Sequence, residues 1–115
     1  MILTVMVSAD PNPDYSTNPG NATQEKVFLL SIHEANQYFD SDDARACEAT
    51  EYAKAQGIYI GHSNGNCRWW LRSPGIRQNN AASVTYDGDV YEPGYSVLGD
   101  YYAVRPALWI DLNAI

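Results

Sequence analysis

Long apolar runs are missing from this sequence: none approaches the roughly eighteen residues a membrane-spanning helix needs. The opening MILTVMVSADP has no basic leader and too short an apolar stretch for a signal peptide, so neither a span nor a leader is expected. Basic residues are scarce as well. Seven Lys and Arg stand against fourteen Asp and Glu, a formal charge of −7, and the cations are scattered instead of forming a stripe. A nucleic-acid backbone would be repelled. Two cysteines, Cys47 and Cys67, are too few for a disulfide scaffold and form no C-x-x-C pair. A zinc site would have to recruit His33 and His62 at spacings unlike familiar fingers, so a disulfide or two core thiols is the expectation, with no metal or other cofactor.

What is present suits a folded domain. Hydrophobic residues make up 45% and charged residues 18% of 115 positions, enough for one modest core that buries roughly two thirds of the unfolded chain's surface. Ile2 to Val7 reads as a strand broken by Asp10-Pro11-Asn12-Pro13. From Pro11 to Thr23 the Pro, Asn, Gly, Ser and Thr content predicts a surface loop; its Asn21-Ala22-Thr23 sequon is assigned no role. Lys26 to Leu30 is a continuous apolar strand, followed by Ser31-x-x-Glu34, the spacing of a capping box. The helix it starts places Ile32, Ala35 and Phe39 on one face and leaves His33 solvated. A second helical patch covers Ser41 to Cys47, Thr50 caps a third that ends at Gly57, and Gly61 to Asn66 is loop with His62 exposed in it.

Strands dominate after Cys67. Trp69 to Arg72 is one, and Ser73-Pro74-Gly75 predicts a turn. Ala81 to Tyr86 and Asp89 to Tyr91 flank Asp87-Gly88, a hairpin signal. A two-residue loop would put Val84 and Val90 on opposite faces; a three-residue loop Tyr86-Asp87-Gly88 with Gly88 left-handed pairs them facing the core. The second register is expected, with Ser83, Thr85, Asp89 and Tyr91 on the outer face. A last strand spans Val104 to Leu112, with Pro106 at its start or at a bulge.

Five of the nine tyrosines lie between Tyr86 and Tyr102, among Asp, Ser, Asn and Gly. Tyr and Thr are good strand residues in any case. Their concentration alongside small polar residues is nevertheless the composition of antibody paratopes, where tyrosine supplies contact area at low entropy cost.

Trp69-Trp70-Leu71-Arg72-Ser73-Pro74-Gly75, Ala81-Ala82, Asp87-Gly88, Val97 and Val104-Arg105-Pro106-Ala107-Leu108-Trp109-Ile110, together with KVFLLSIHEANQYF at 26–39 and Glu51 to Gly57, resemble a bacterial family of unknown function common in gut organisms. Its members end in a C-type-lectin-like module, and some resemble the variable proteins of diversity-generating retroelements. In those proteins adenine-directed mutagenesis rewrites codons near the C-terminus on a fixed scaffold, which would account for the Tyr, Asp, Ser and Thr mixture. The resemblance covers roughly positions 10 to 112. It implies an α+β, C-type-lectin-like fold with short helices and a small, mostly antiparallel sheet, a single domain over 1–115, and a variable ligand-binding region at 76–102. Trp69, Trp70, Arg72, Pro74, Gly88, Arg105, Pro106 and Trp109 become scaffold. Arg77, Ser83, Thr85, Asp89, Tyr91, Glu92, Tyr95, Asp100, Tyr101 and Tyr102 become candidate contacts to a protein or glycan ligand.

Arg72 and Arg105, beside Trp and Pro, are expected to be paired structural guanidiniums before they are anion sites. Where calcium-dependent lectins carry Glu-Pro-Asn or Gln-Pro-Asp, this chain has Glu92-Pro93-Gly94, so calcium-mediated sugar binding is not expected. Family members also carry an upstream segment with a Trp-Leu-Asn helix that is missing here, so the chain is expected to be a fragment, or its core to be completed by a homo-oligomer or a partner chain. A location at a cell surface, outside the cell or on a phage particle goes with the resemblance. Two other readings remain: an oxidase related to the formylglycine-generating enzymes, which share the fold and use a cysteine pair, and a structural module of a surface or phage protein. Fold alone does not carry activity.

Overall fold

The computed structural model describes residues 1–61 and 64–114; His62, expected in a loop, lies outside them. Chain order begins with β1 (Val5–Val7), paired antiparallel with β2 (Thr23–Glu25). Three short helices follow, α1 (Ile32–Tyr38), α2 (Asp42–Arg45) and α3 (Glu51–Ala55), with β3 (Cys47–Glu48) between the last two. Then come β4 (Asn66–Cys67), antiparallel to β3, and the main sheet, β5 (Trp69–Pro74), β6 (Asn80–Val84) and β7 (Val90–Ser96), antiparallel with β6 in the middle. The fold class is α+β.

Local sequence chemistry explains where the helices start. At α1 the Ser31 hydroxyl accepts the Glu34 amide at 3.1 Å while the Glu34 carboxylate accepts the Ser31 amide at 3.0 Å, the expected capping box. Ser41 and Thr50 cap α2 and α3 in the same way, each accepting an amide three residues on. Helix α1 buries Ile32 and Ala35 against Trp69, Leu71, Ala82 and Val84, with Leu30, Phe39, Cys47, Val90 and Ala103 packed around them. The predicted hairpin register holds: Val84 faces Val90, and the Thr85 amide donates to the Asp89 carbonyl at 2.9 Å. Gly88 has φ +90°, and a Cβ there would collide with the Asp42 carbonyl, so the position requires glycine on two counts.

Both outer strands bulge opposite Ala82. From Ala81 to Ser83 the central strand advances two residues, while β7 runs from Tyr95 to Tyr91 and β5 from Pro74 to Trp70. Pro93 and Gly94 sit in the β7 bulge, Gly94 with φ +68°, where proline and glycine are tolerated within a sheet. The chain therefore does not turn at Ser73-Pro74-Gly75, where the Gly75 amide still donates to the Asn80 carbonyl, but over 76–79, and the strand expected to end at Tyr91 continues to Ser96. Ser73 is committed elsewhere, its hydroxyl accepting the Ile32 amide at 2.9 Å.

Other expectations need correction. Lys26 to Leu30 forms no regular strand: Phe28 exchanges hydrogen bonds with Ala107, and Leu30 accepts the Arg72 amide, so the segment touches two different neighbours once each. The helix expected through Cys47 stops at Arg45 because Cys47 is drawn into β3. Val104 to Leu112 is no continuous strand but a chain of single bridges, Phe28 to Ala107 and Ile2 to Ile110. Arg105-Pro106 interrupts it, proline having no amide to extend a ladder. Trp109, expected as scaffold, is 47% exposed, and Val97, part of the motif behind the resemblance, is 55% exposed.

Arg72 is the structural guanidinium anticipated, joined to Glu34 and, at 3.4 Å, to Asp10. Arg105 instead donates to the Arg45 carbonyl at 3.1 Å and stacks on Trp69 and Phe39. Asn12, buried in the proline-rich loop, ties that loop to the sheet by donating to the Pro74 and Glu92 carbonyls.

Cys47 and Cys67 are register partners and carry free thiols, so the expected proximity is present and the bond is not. Opposite residues in antiparallel strands lie about 4.5–5.5 Å apart at Cα, inside the roughly 4.4–6.8 Å span of disulfides. Incubation with oxidised glutathione should remove two hydrogens from the protein and form two equivalents of glutathione. Closing a loop between positions twenty apart should then stabilise the domain by about 3 kcal/mol. A thermal melt unchanged after the mass shift would show that the bond strains the β3–β4 pair.

Candidate functional site

The outer face of the main sheet carries a cluster of aromatic rings around one cation. Trp70 and Ser83 are cross-strand partners, and Ser83 and Tyr91 are partners on the other side. The β7 bulge then folds Tyr95 back over the same face: Tyr91 and Tyr95, four apart in sequence, stack at 5.1 Å between centroids. In a regular strand such residues would be about 13 Å apart. Tyr102 arrives from the segment after the sheet, which is held by a parallel bridge between Trp69 and Ala103 and by the Ala103 amide donating to the Arg68 carbonyl at 2.8 Å. It stacks on Trp70 at 4.5 Å and meets Tyr95 edge-on at 5.3 Å.

Arg68 sits inside this frame. Its guanidinium carbon is 4.8 Å from the Tyr86 centroid, 5.0 Å from Tyr95 and 5.7 Å from Tyr102, and Nη1 donates to the Tyr102 hydroxyl at 3.1 Å. Burial works against the charge, but hydrogen bonding with Tyr95, Tyr102 and Tyr86 outweighs it and holds the guanidinium above its ordinary pKa. Burial pushes the Tyr102 phenol up to about 12, the pull of Arg68 notwithstanding. The phenol is therefore neutral at physiological pH and leaves the Arg68 charge uncancelled. Beside these groups Tyr59, Arg68, Tyr86, Tyr101 and Tyr102 line an open cavity of about 400 Å³. The Tyr59 amide donates to the Tyr101 carbonyl at 3.0 Å and fastens the two rims together.

A cleft of about 480 Å³ lies beside α1, between Pro11, Pro13, Ile32 and Asn36. It is the larger of the two, but the carboxylate in it, Asp10, is already engaged by Ser8, Ser31 and Arg72. The chemistry converges at Arg68.

Of the ten sequence-derived candidates, Tyr91, Tyr95, Tyr101 and Tyr102 gather around this site. Ser83, expected on the outer face and exposed, is fully buried beneath it, and its hydroxyl has no partner among the described residues. A small side chain between Trp70 and Tyr91 is covered by its neighbours. Tyr102, a candidate contact, is half-buried by its stack on Trp70. Thr85 and Asp89 lie at the hairpin end. There Asp89 shares a hydrogen bond with the Asp42 carboxyl, which pushes Asp89 up and Asp42 down. Arg77 is exposed in the turn at the opposite end of β6, Glu92 is half-buried in the bulge, and Asp100 is exposed in the loop after β7. Arg68 and Trp70 were not among the candidates. The signal for Arg68 was faint: a lone cation before the two tryptophans in an acidic chain.

An α+β domain with a tyrosine-framed cation on its main sheet is the class these observations define. The chain belongs to the family described as "Domain of unknown function (DUF6273)", whose sequence signature matches residues 1–112. No curated protein and no solved structure matches it. Among the described residues no cluster of three or more His, Cys, Asp or Glu could hold a metal ion, and no helix is long and apolar enough to cross a membrane.

Proposed function

We propose that this domain is a non-catalytic binding module, presenting a variable Tyr-, Ser- and Asp-rich surface on a C-type-lectin-like scaffold to a protein or glycan ligand. The observation that carries the reading is the division of side chains between 69 and 102. Trp69, Leu71, Ala82 and Val84 are buried and hold the sheet, whereas Arg77, Asp89, Tyr91, Asp100 and Tyr101 are exposed on turns and one face. Substitution of that second set leaves the core intact, as a diversified surface requires. An oxidase finds less support, because burial pushes the Cys67 thiol up, away from the thiolate form a reactive cysteine needs.

The test is a screen of glycan and protein arrays with the parent and with a Tyr91→Ser/Tyr101→Ser/Asp89→Asn variant. Asp89→Asn and Tyr101→Ser should each shift stability by less than about 0.5 kcal/mol and Tyr91→Ser, which breaks the stack on Tyr95, by about 0.5–1.5 kcal/mol, so the variant should stay folded and lose the parent's ligand. Retention of that ligand at full strength would remove the binding face from this surface. Sequencing the locus should reveal a reverse transcriptase gene and a near-identical template repeat; without them, diversification falls and a fixed binding surface remains.

A further inference from the structure

We infer that Arg68 anchors an anion subsite, and that the ligand it takes carries a single carboxylate on a ring able to stack on tyrosine: a sugar acid of the hexuronate kind at the end of a glycan. This rests on the binding-module reading and names the ligand chemistry of its surface.

Arg45, Arg72 and Lys54 each have a carboxylate within ion-pair distance; among the described residues Lys26, Arg68, Arg77 and Arg105 have none, and of these four it is Arg68 that lines the tyrosine-walled cavity. Its immediate neighbours are phenols, and its Nε is buried without an acceptor. A guanidinium packed against ring faces has its planar donor fork held in place before any ligand arrives. Little side-chain entropy is then lost on binding, and a carboxylate matches the fork in geometry as well as charge.

The walls favour a ring. Tyr59, Tyr86, Tyr101 and Tyr102 frame about 400 Å³, near the lower end of the roughly 300–1,000 Å³ typical of small-molecule sites, which suits one or two sugar units. Aromatic faces and phenolic hydroxyls together serve a body that is apolar on its faces and polar at its edge. The charge of the whole chain favours one carboxylate over many. With a net charge of −7, a polyanion or a run of acidic peptide would be repelled by the domain's field while gaining only one cation. A neutral glycan with one acidic sugar escapes that repulsion.

Trp70, stacked on Tyr102, makes tryptophan fluorescence the readout. The full chain is titrated with a glucuronate-terminated disaccharide, the matching glucose-terminated disaccharide and a tetraglutamate peptide, at low and at high salt. The acid disaccharide should bind at least tenfold more tightly than the neutral one and lose affinity as salt rises. Arg68→Gln should abolish the difference between the two sugars, and Arg68→Lys should restore only part of it, because an ammonium lacks the planar fork. Should Arg68→Gln fail to fold, Tyr101→Ala tests the same cavity from an exposed position and should weaken the acid disaccharide several-fold with an unchanged melting temperature.

Equal affinity for the two disaccharides would overturn the anion subsite while leaving a binding module in place. Tighter binding of tetraglutamate would overturn the sugar-acid assignment. Silence toward all three probes would overturn it as well, the binding-module reading being decided by the arrays.

Discussion

Trp69→Ala should destabilise the domain by about 3–5 kcal/mol, lowering its melting temperature by roughly 12–20 °C at about 4 °C per kcal/mol. Trp69 is fully buried at the centre of the core. Its indole N–H donates to the Arg45 carbonyl at 3.1 Å, and its ring lies 4.9 Å beneath the Arg105 guanidinium and edge-on to Phe39. Truncation therefore opens a cavity, removes one of the two donors to the Arg45 carbonyl, the other being Arg105, and frees a cation from its ring. Domains of this kind are stable by only about 5–15 kcal/mol, so the variant should be partly unfolded well below the parent's midpoint. Trp109→Ala is the control: that ring is 47% exposed and touches Tyr38 edge-on, and its loss should cost about 1 kcal/mol or less. Equal losses at the two tryptophans would mean that the core extends to the last segment.

Arg72→Ala comes second, at about 2–4 kcal/mol, below the 3–5 typical of a fully buried pair because this one is partly solvated. The guanidinium holds Glu34 and Asp10 and donates to the Leu29 carbonyl at 2.8 Å and to the Ser8 carbonyl at 3.2 Å. It joins β5 to the capping box of α1 and to the loop after β1. Removal leaves two carboxylates near the interior with no cation. An Arg72→Met/Glu34→Gln double variant should therefore recover part of the loss, and no recovery would show that the stem's packing matters more than its charge.

Acid titration supplies a second readout of the same network. Burial alone would raise the Asp10 pKa, but hydrogen bonds from Ser31 and Ser8 and the charge of Arg72 outweigh it and hold the carboxyl below its ordinary value. A depressed folded pKa contributes stability above the unfolded value, and that contribution is lost as pH falls through the folded one. Urea midpoints of the parent should hold down to the ordinary aspartate range and then fall. In Arg72→Ala the Asp10 contribution should be smaller at neutral pH and vanish at a higher pH, because one of the groups depressing the carboxyl is gone.

The features legible in the sequence are those a few adjacent residues decide. The capping box at Ser31 and Glu34 depends on a four-residue spacing, and the caps at Ser41 and Thr50 are equally local. The hairpin register is fixed by the loop length that puts Val84 and Val90 on one face, since a slip of one residue would turn one of them away from the core. The last segment was misjudged for the converse reason. Val104 to Leu112 has strand composition, but a strand needs a continuous partner, and its neighbours Phe28 and Ile2 each offer one bridge.

The site was half legible. Tyrosine density pointed to the surface between 86 and 102. Composition could not disclose that the bulge would fold Tyr95 back onto Tyr91, that Ser83 would lie beneath the rings, or that Tyr102 would settle on Trp70. Arg68 carries no mark in the sequence because its distinction lies in the rings of Tyr86, Tyr95 and Tyr102, which reach it from distant positions.

Sequence by itself determined the helix starts, the left-handed glycine at 88, the pairing of Val84 with Val90 and the acidic character of the surface. Each of these is governed by sterics, hydrogen bonding within a few residues, or total charge. Tertiary structure decided which tryptophan is core, which serine is covered, where Cys47 meets Cys67, and which guanidinium lies among the tyrosine rings. Those depend on segments brought together from distant parts of the chain, where burial and the identity of the neighbour, not the residue's own preference, set its environment.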